Sequence, residues 1–391
     1  MLGIALEGGG AKGAFHIGAI QACMEMGVYP PQAVAGTSIG AMNAAMIAQG
    51  DYEKARQLWE NISGKDIYDP ENEKLIYANL RELQLQDLPE MWESIKDFFA
   101  DRGINNTNMR RIIAENIDPD KLMASPIDYG IVTFALPDFE AVEIFKEEMG
   151  KENIPTYILA SAAFPGFQKV SMGQRFFVDG GVYDNCPVNM LLERGCDRVI
   201  AVRTNAVGIT RYDEKDARVT TITPSEDLGS LMKFSPETAR HNIELGYYDG
   251  LRALMHLGGR HYYLTDTGHG LSARLYGLPD GLILSCARSL RISSRIHPRR
   301  LLFERLLPVL FDELDLTRSD SYDDLVLAMI EDRAERCGIR RLSLYTAREL
   351  FALGLAAHPP ARQKALPRVI DAILGALAQT DGSSPTNAFK A

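Results

Sequence analysis

Two glycine-rich junctions within the first 40 residues constrain this chain more than any other feature. Gly8-Gly9-Gly10-Ala11-Lys12-Gly13 follows the short apolar run Leu2–Leu6, and Gly36-Thr37-Ser38-Ile39-Gly40 follows Val34-Ala35. Each stands between a run that reads as a buried strand and a run with helical spacing. Within Ala11–Met26 the apolar residues Ala14, Ile17, Ile20 and Met24 share one face, and the second helix is expected from about Ile39 to Ala48. A strand–helix–strand–helix start predicts a parallel sheet and therefore an α/β fold.

The first junction fits G-x-G-x-x-G letter for letter, so dinucleotide binding has to be tested. That function needs an acid at the end of the second strand, about 20 residues on, to hold the ribose. Gln32-Ala33-Val34-Ala35 offers none. A P-loop fails too, because Lys12 is followed by Gly13 rather than Ser or Thr. What remains is the physics of the turn. Free N–H groups at a helix start favour negative charge, either a bound phosphate or an oxyanion in a transition state.

The second junction is G-x-S-x-G. A turn that sharp projects the Ser38 hydroxyl from the sheet edge and tolerates only small neighbours. A serine needs a base to become a nucleophile. His261 could serve after a late strand, but a hydrolase triad of that kind places several strands before its serine, and only one full strand precedes the one leading to Ser38. Asp179 fits better. It ends the apolar run Phe176-Phe177-Val178 and is followed by Gly180-Gly181. Burial at such a strand end would raise its pKa from the usual 3.9 or so and make it a better proton acceptor.

The rest of the chain divides by texture. Residues 51–125 are charged and helical, a helical insertion into the α/β region. Its stripe Leu88, Met91, Trp92, Ile95, Phe98 and Phe99 reads as a helix packed on the core or as a lid whose apolar face meets lipid. Residues 126–224 return to α/β texture, with paired strands expected at Tyr129–Ala135 and Ala141–Phe145 and further strands at Arg175–Val178 and Arg198–Arg203. Residues 225–391 read as a mainly helical C-terminal region. Ser235-Pro236-Glu237 starts a helix, others fall near 299–316, 323–336, 343–356 and 363–378, and 380–391 is a frayed polar tail. Residues 1–224 thus form the expected catalytic domain.

Together the motifs resemble the patatin-like phospholipases. Gly8–Gly13 with Lys12, Gly36–Gly40 around Ser38, and Asp179-Gly180-Gly181 agree with that family in order and spacing. Ala160-Ser161-Ala162-Ala163-Phe164-Pro165-Gly166-Phe167 and the run Asp179–Pro187 look like family text as well. The resemblance implies a three-layer α/β/α fold with a mainly parallel sheet. It also implies a Ser38–Asp179 dyad without histidine, and an oxyanion hole from the backbone of Gly8, Gly9 and Gly10. Lys12, Gly13, Gly36, Gly40, Gly180 and Gly181 occupy the supporting positions. The implied substrate is a phospholipid or another fatty-acyl ester, and no metal or cofactor is called for. Two other readings stay open: a soluble carboxylesterase on short acyl esters, and a phosphate- or lipid-binding module without catalysis.

Composition narrows the surroundings. The formal charge of −10 and the absence of a nucleic-acid motif argue against a nucleic-acid partner. Five cysteines with no C-x-x-C pair point to reduced thiols rather than a disulfide or zinc framework. No signal peptide or transmembrane run is visible, so a cytoplasmic location is expected. Arg288, Arg291, Arg295, Arg299, Arg300 and Arg305 crowd around Leu301–Phe303 with Glu304 as the one acid. They read as a solvated helix face paired with acids elsewhere, or as a peripheral contact with anionic lipid headgroups.

Overall fold

A computed structural model describes residues 1–69, 104–164, 167–268, 270–317, 319–360 and 364–379. The apolar stripe 88–99 and the tail 380–391 lie outside the described residues. The chain divides into two compact units, Met1–Met255 and His256–Ala391.

The first unit is built on an eight-stranded mixed sheet in the order β5-β6-β3-β2-β1-β7-β8, with β4 paired to the free edge of β3. The strands are β1 (Leu2–Leu6), β2 (Ala33–Thr37), β3 (Asp128–Leu136), β4 (Glu140–Phe145), β5 (Val170–Met172), β6 (Arg175–Asp179), β7 (Arg198–Val202) and β8 (Val219–Ile222). β1 lies at the centre, parallel to β2 from Gly3↔Ala33 to Leu6↔Gly36 and parallel to β7 from Leu2↔Arg198 to Leu6↔Val202. Strands of this kind are apolar on both faces because helices cover both. Ala5, Ala33, Ala35 and Val132 pack on one face with Val188 and Leu191 of the helix Val188–Glu193. On the other face Tyr129, the β3 partner of Val34, donates its hydroxyl to the Ala41 carbonyl at 3.0 Å. Ala41 belongs to α2 (Ile39–Ala48), so α2 covers that face, and the unit is a helix–sheet–helix sandwich.

The junctions of the sequence become real turns with one adjustment. The first helix opens with a tight 3-10 turn over Gly10–Gly13 and becomes α-helical only as α1 (Ala14–Glu25). A larger difference concerns the end of this unit. The sequence reading closes it after Pro224, whereas the structure closes it after Met255. The cause is the helix Pro236–Met255, which lies directly against α1. A Cβ on Gly18 would stand 1.8 Å from the Ile243 carbonyl oxygen, and one on Gly246 2.2 Å from that of Phe15. Two backbones that close need glycine at the crossing, and they make the second helix part of the α/β core.

The second unit is mainly helical, with a small parallel pair that the sequence hid: β9 (Tyr263–Asp266) beside β10 (Leu344–Thr346). The run expected as one helix near 299–316 is Pro298–Leu301, a π-helical turn Leu302–Leu306, and Leu307–Glu313. Its buried Leu301, Leu306 and Leu310 pack with Leu325 and Met329 of Tyr322–Arg336 and with Ile370 and Leu374 of Ala365–Gln379. All five cysteines are free thiols, four of them buried.

Candidate active site

β3 places the two halves of the site. Its edge away from β4 is shared end to end. β2 pairs along it up to Thr37↔Val132, and β6, running the opposite way, takes over from Thr133↔Asp179. The tip of β2 therefore abuts the tip of β6. Ser38 is the next residue after β2, and Asp179 is the last residue of β6. The register alone brings together two side chains 141 residues apart in sequence.

Ser38 sits in the sharp turn expected of it, at φ 57° and ψ −128°. A non-glycine residue held there costs of order 1–3 kcal/mol, so the surroundings must hold it. Its N–H donates to the Ser161 hydroxyl at 2.9 Å. Gly40 lets the turn close: a Cβ there would lie 2.2 Å from the Leu6 carbonyl oxygen. The Ser38 hydroxyl stands beside the Asp179 carboxylate, close enough to lower its pKa. Asp179 is buried, and burial pushes its pKa from 3.8 up to about 6. The Ser38 hydroxyl and the Gly181 N–H, 2.8 Å from Oδ1, pull it part of the way back.

The glycine loop lies beside this pair. Gly8 was expected to lend its N–H to the site, but that N–H donates to the Asn185 carbonyl at 3.0 Å. The Gly8 carbonyl in turn accepts the Thr204 hydroxyl at 2.5 Å, so Gly8 is bound on both sides. Gly9 and Gly10 face the cavity, and among the described residues their N–H groups meet no acceptor. Behind the loop, the buried carboxylate of Glu7 takes Arg203 Nε at 2.9 Å and the Asn205 N–H at 2.9 Å. Gly13 is held through its carbonyl, which accepts Asn43 Nδ2 at 3.0 Å. Lys12 does not line the cavity of Ser38; it borders a separate recess with Thr204, Asn205 and residues 224–228.

The cavity holds about 80 Å³ of enclosed space and opens to solvent, and Ser38, Asp179, Gly9 and Gly10 lie in its wall. The remaining wall is mainly apolar, with Ile67, Met109 and the rings of Tyr68, Phe164, Phe167 and Phe234, and it includes the polar Asn185. Tyr68 packs edge-on against Phe234 at 6.1 Å, and Phe234 stacks on Trp59 at 6.2 Å. The Tyr68 hydroxyl donates to the Met232 carbonyl at 3.1 Å. The polar tip of that ring is thereby occupied within the wall. Gly36, Gly180 and Gly181 fill the supporting places their motifs assign them. A Cβ on Gly180 would lie 2.2 Å from the Val132 carbonyl oxygen.

Among the described residues no histidine lines the cavity. His16 is fully buried between α1 and α2, where desolvation drops its pKa from 6.5 to about 3 and Asn43 Nδ2 lies 3.1 Å from its Nδ1. His261 belongs to the second unit, precedes β9 rather than following a strand, and gives its N–H to Glu331 at 3.3 Å. Among the described residues no group of three or more His, Cys, Asp or Glu side chains could hold a metal ion. Ser161 and the aromatic wall did not come out of the sequence as site residues. Ser161, Phe164 and Phe167 stood in a motif without a role, Phe234 opened the stretch Phe234–Leu254 that looks like bacterial family members without a role either, and Tyr68 lies in a segment with no local signature.

A family model described as patatin-like phospholipase matches residues 4–192. Lysophospholipase NTE1 of Kluyveromyces lactis is 26% identical over 225 residues, and its Candida glabrata counterpart 25% identical over 225. Each alignment covers 53% of this chain; the matched part is 13% of the first relative and 10% of the second. Among solved structures, VipD from Legionella pneumophila aligns over 100% of this chain and 93% of its own, at 14% identity and a TM-score of 0.42. The type III effector protein ExoU aligns over 97% and 79%, at 16% identity and a TM-score of 0.33.

Proposed function

We propose, from the match of residues 4–192 to the patatin-like phospholipase model, that the protein is a lipid acyl hydrolase working through Ser38 and Asp179. One observation carries the proposal. The Ser38 hydroxyl stands beside a buried carboxylate in the wall of a mainly apolar cavity, near two backbone N–H groups that meet no acceptor among the described residues.

The chemistry follows from those positions. A fatty-acyl chain enters the apolar cavity because its methylenes leave water there, at about 0.8 kcal/mol each. Asp179 takes the Ser38 proton while Oγ attacks the ester carbonyl. A carboxylate with a pKa of about 6 is mostly ionised at neutral pH, yet more basic than a free one. Charge then develops on the carbonyl oxygen and is received by the N–H groups of Gly9 and Gly10, which line the cavity. A donor of this kind is worth about 3–4 kcal/mol of barrier. The proton on Asp179 passes to the leaving alkoxide, and a lysolipid or alcohol departs. Water then attacks the acyl-serine with Asp179 again as base, releasing the fatty acid and restoring Ser38.

The mainly apolar lining of the cavity favours a fatty-acyl chain over a polar ligand. The test is direct. The protein is treated with a fluorophosphonate and digested, and the Ser38 peptide is weighed; an adduct is expected on Ser38 and absent from Ser38→Ala. No adduct would leave a binding module in place of an enzyme. Products from a mixed phospholipid extract then set the substrate, and preference for monomeric short esters would establish the carboxylesterase instead.

A further inference from the structure

The segment at the end of the helix Ile154–Ser161 holds both members of the dyad by their backbones. The Ser161 hydroxyl accepts the Ser38 N–H at 2.9 Å and donates to the Val132 carbonyl at 2.6 Å. Two residues later the Ala163 carbonyl accepts the Asp179 N–H at 2.9 Å. Val132 and Thr133 are the β3 residues opposite Thr37 and Asp179, where β2 gives way to β6. Residues 161–163 therefore span the gap between the two strand tips. Ser161 is wholly buried, and its hydroxyl stands between Ser38 and β3 just where the β2 ladder ends.

We infer that Ser161 is a positioning residue for the Ser38–Asp179 pair, an inference that rests on the hydrolase reading above. The physical argument has three steps. Ser38 lies in a sparsely populated backbone region, so its geometry persists only if over-determined by its surroundings. Its buried N–H needs an acceptor, and β3 is reached only through the hydroxyl of Ser161. The same short segment fixes Asp179, so a shift of residues 161–163 changes the distance between the serine hydroxyl and the carboxylate. Ala162 and Phe164, interleaved with these contacts, line the cavity, so an acyl chain packed there bears on the segment that sets the dyad.

The experiment compares wild type, Ser161→Ala and Ile158→Val, the last a buried residue on the same helix with no link to the dyad. Turnover of a long-chain ester, the rate of fluorophosphonate labelling at Ser38, and Tm are measured for each. Ser161→Ala is expected to lower kcat about 10- to 100-fold, the loss from stranding a buried N–H, and to slow labelling in parallel. KM should stay within about twofold, since no contact to the acyl chain is removed. Ile158→Val, with a comparable fall in Tm, should keep kcat within about twofold. Unchanged kcat in Ser161→Ala overturns the inference, and so does an equal loss of kcat in both variants, which would make the effect general destabilisation. If wild type neither turns over nor labels, it is the hydrolase reading that has failed.

Discussion

The two glycine-rich turns look alike in sequence and are finished in opposite ways. At Gly36–Gly40 the backbone is tied down, with the Ser38 N–H bonded to Ser161, and a side chain is presented. At Gly8–Gly10 there is no side chain to present, and among the described residues two N–H groups are left open while Gly8 is bonded at both its N–H and its carbonyl. One turn delivers a nucleophile, the other delivers donors. The difference comes from neighbours distant in sequence: β3 and Ser161 around the first turn, Asn185, Thr204 and Leu231 around the second.

If the first turn supplies the nucleophile, its loss should be the largest effect measurable. Ser38→Ala is expected to reduce kcat on a long-chain ester by about 10⁴- to 10⁶-fold, and Asp179→Asn by a similar factor, because the two act as a unit. Combining them should cost little more than either alone. A multiplicative loss in the double variant would mean that Asp179 is not the base for Ser38.

The second turn should respond less, and through kcat. Gly10 has φ +53°, and an added Cβ would lie 2.1 Å from the Leu231 carbonyl oxygen. That carbonyl also accepts the Ala11 N–H at 2.8 Å, so the loop must move away. Gly10→Ala should therefore lower kcat about 10²- to 10³-fold, the range for one lost oxyanion donor. Fluorophosphonate should still find Ser38, more slowly. Unchanged kcat in Gly10→Ala would remove the loop from the mechanism and leave the first turn alone.

How much of this was legible beforehand follows the same division. The strand–turn–helix punctuation and the candidates Ser38 and Asp179 were readable because each is written in a few adjacent residues. The partners that finish the turns were not. Gly8 reads like Gly9 and Gly10 until the Asn185 carbonyl is found against its N–H. The helix Pro236–Met255 reads as the start of a helical region, and only the crossing at Gly18 and Gly246 shows it to be part of the first core. Short β9 and β10 are held by pairing with each other, which no local periodicity records.

The acid limb of activity sharpens the comparison from the side of Asp179. With its pKa at about 6, kcat/KM should fall about tenfold per pH unit below that value and level off above it. Stability runs the other way. The folded-state pKa lies above 3.8, so the native protein binds this proton more tightly than the unfolded chain does. Stability from this group is therefore greatest at low pH and is lost as pH rises from about 3.8 through about 6. Two pKa units correspond to about 3 kcal/mol. Asp179→Asn should accordingly be more stable than wild type above pH 6, by up to about 3 kcal/mol, while inactive. A urea titration at pH 5 and pH 8 reads the difference. An equal effect at the two pH values would show that burial is not what raises this carboxyl.

The smallest effect belongs to the wall that neither turn builds. Phe234 is buried, stacked on Trp59 and edge-on to Tyr68, so it closes the cavity without touching the reacting atoms. Phe234→Leu exchanges a ring for a shorter branched chain and leaves the dyad and the glycine loop in place. Each further methylene buried by a longer acyl chain is worth about 0.8 kcal/mol, or about fourfold in kcat/KM. The preferred acyl length should shift upward by one or two methylenes, with kcat on the best substrate within about threefold of wild type. A series of p-nitrophenyl esters of increasing chain length reads the shift. An unchanged optimum would mean that the chain does not run past Phe234; a collapse of kcat at every length would mean that this ring supports the dyad, and the wall could no longer be separated from the turns.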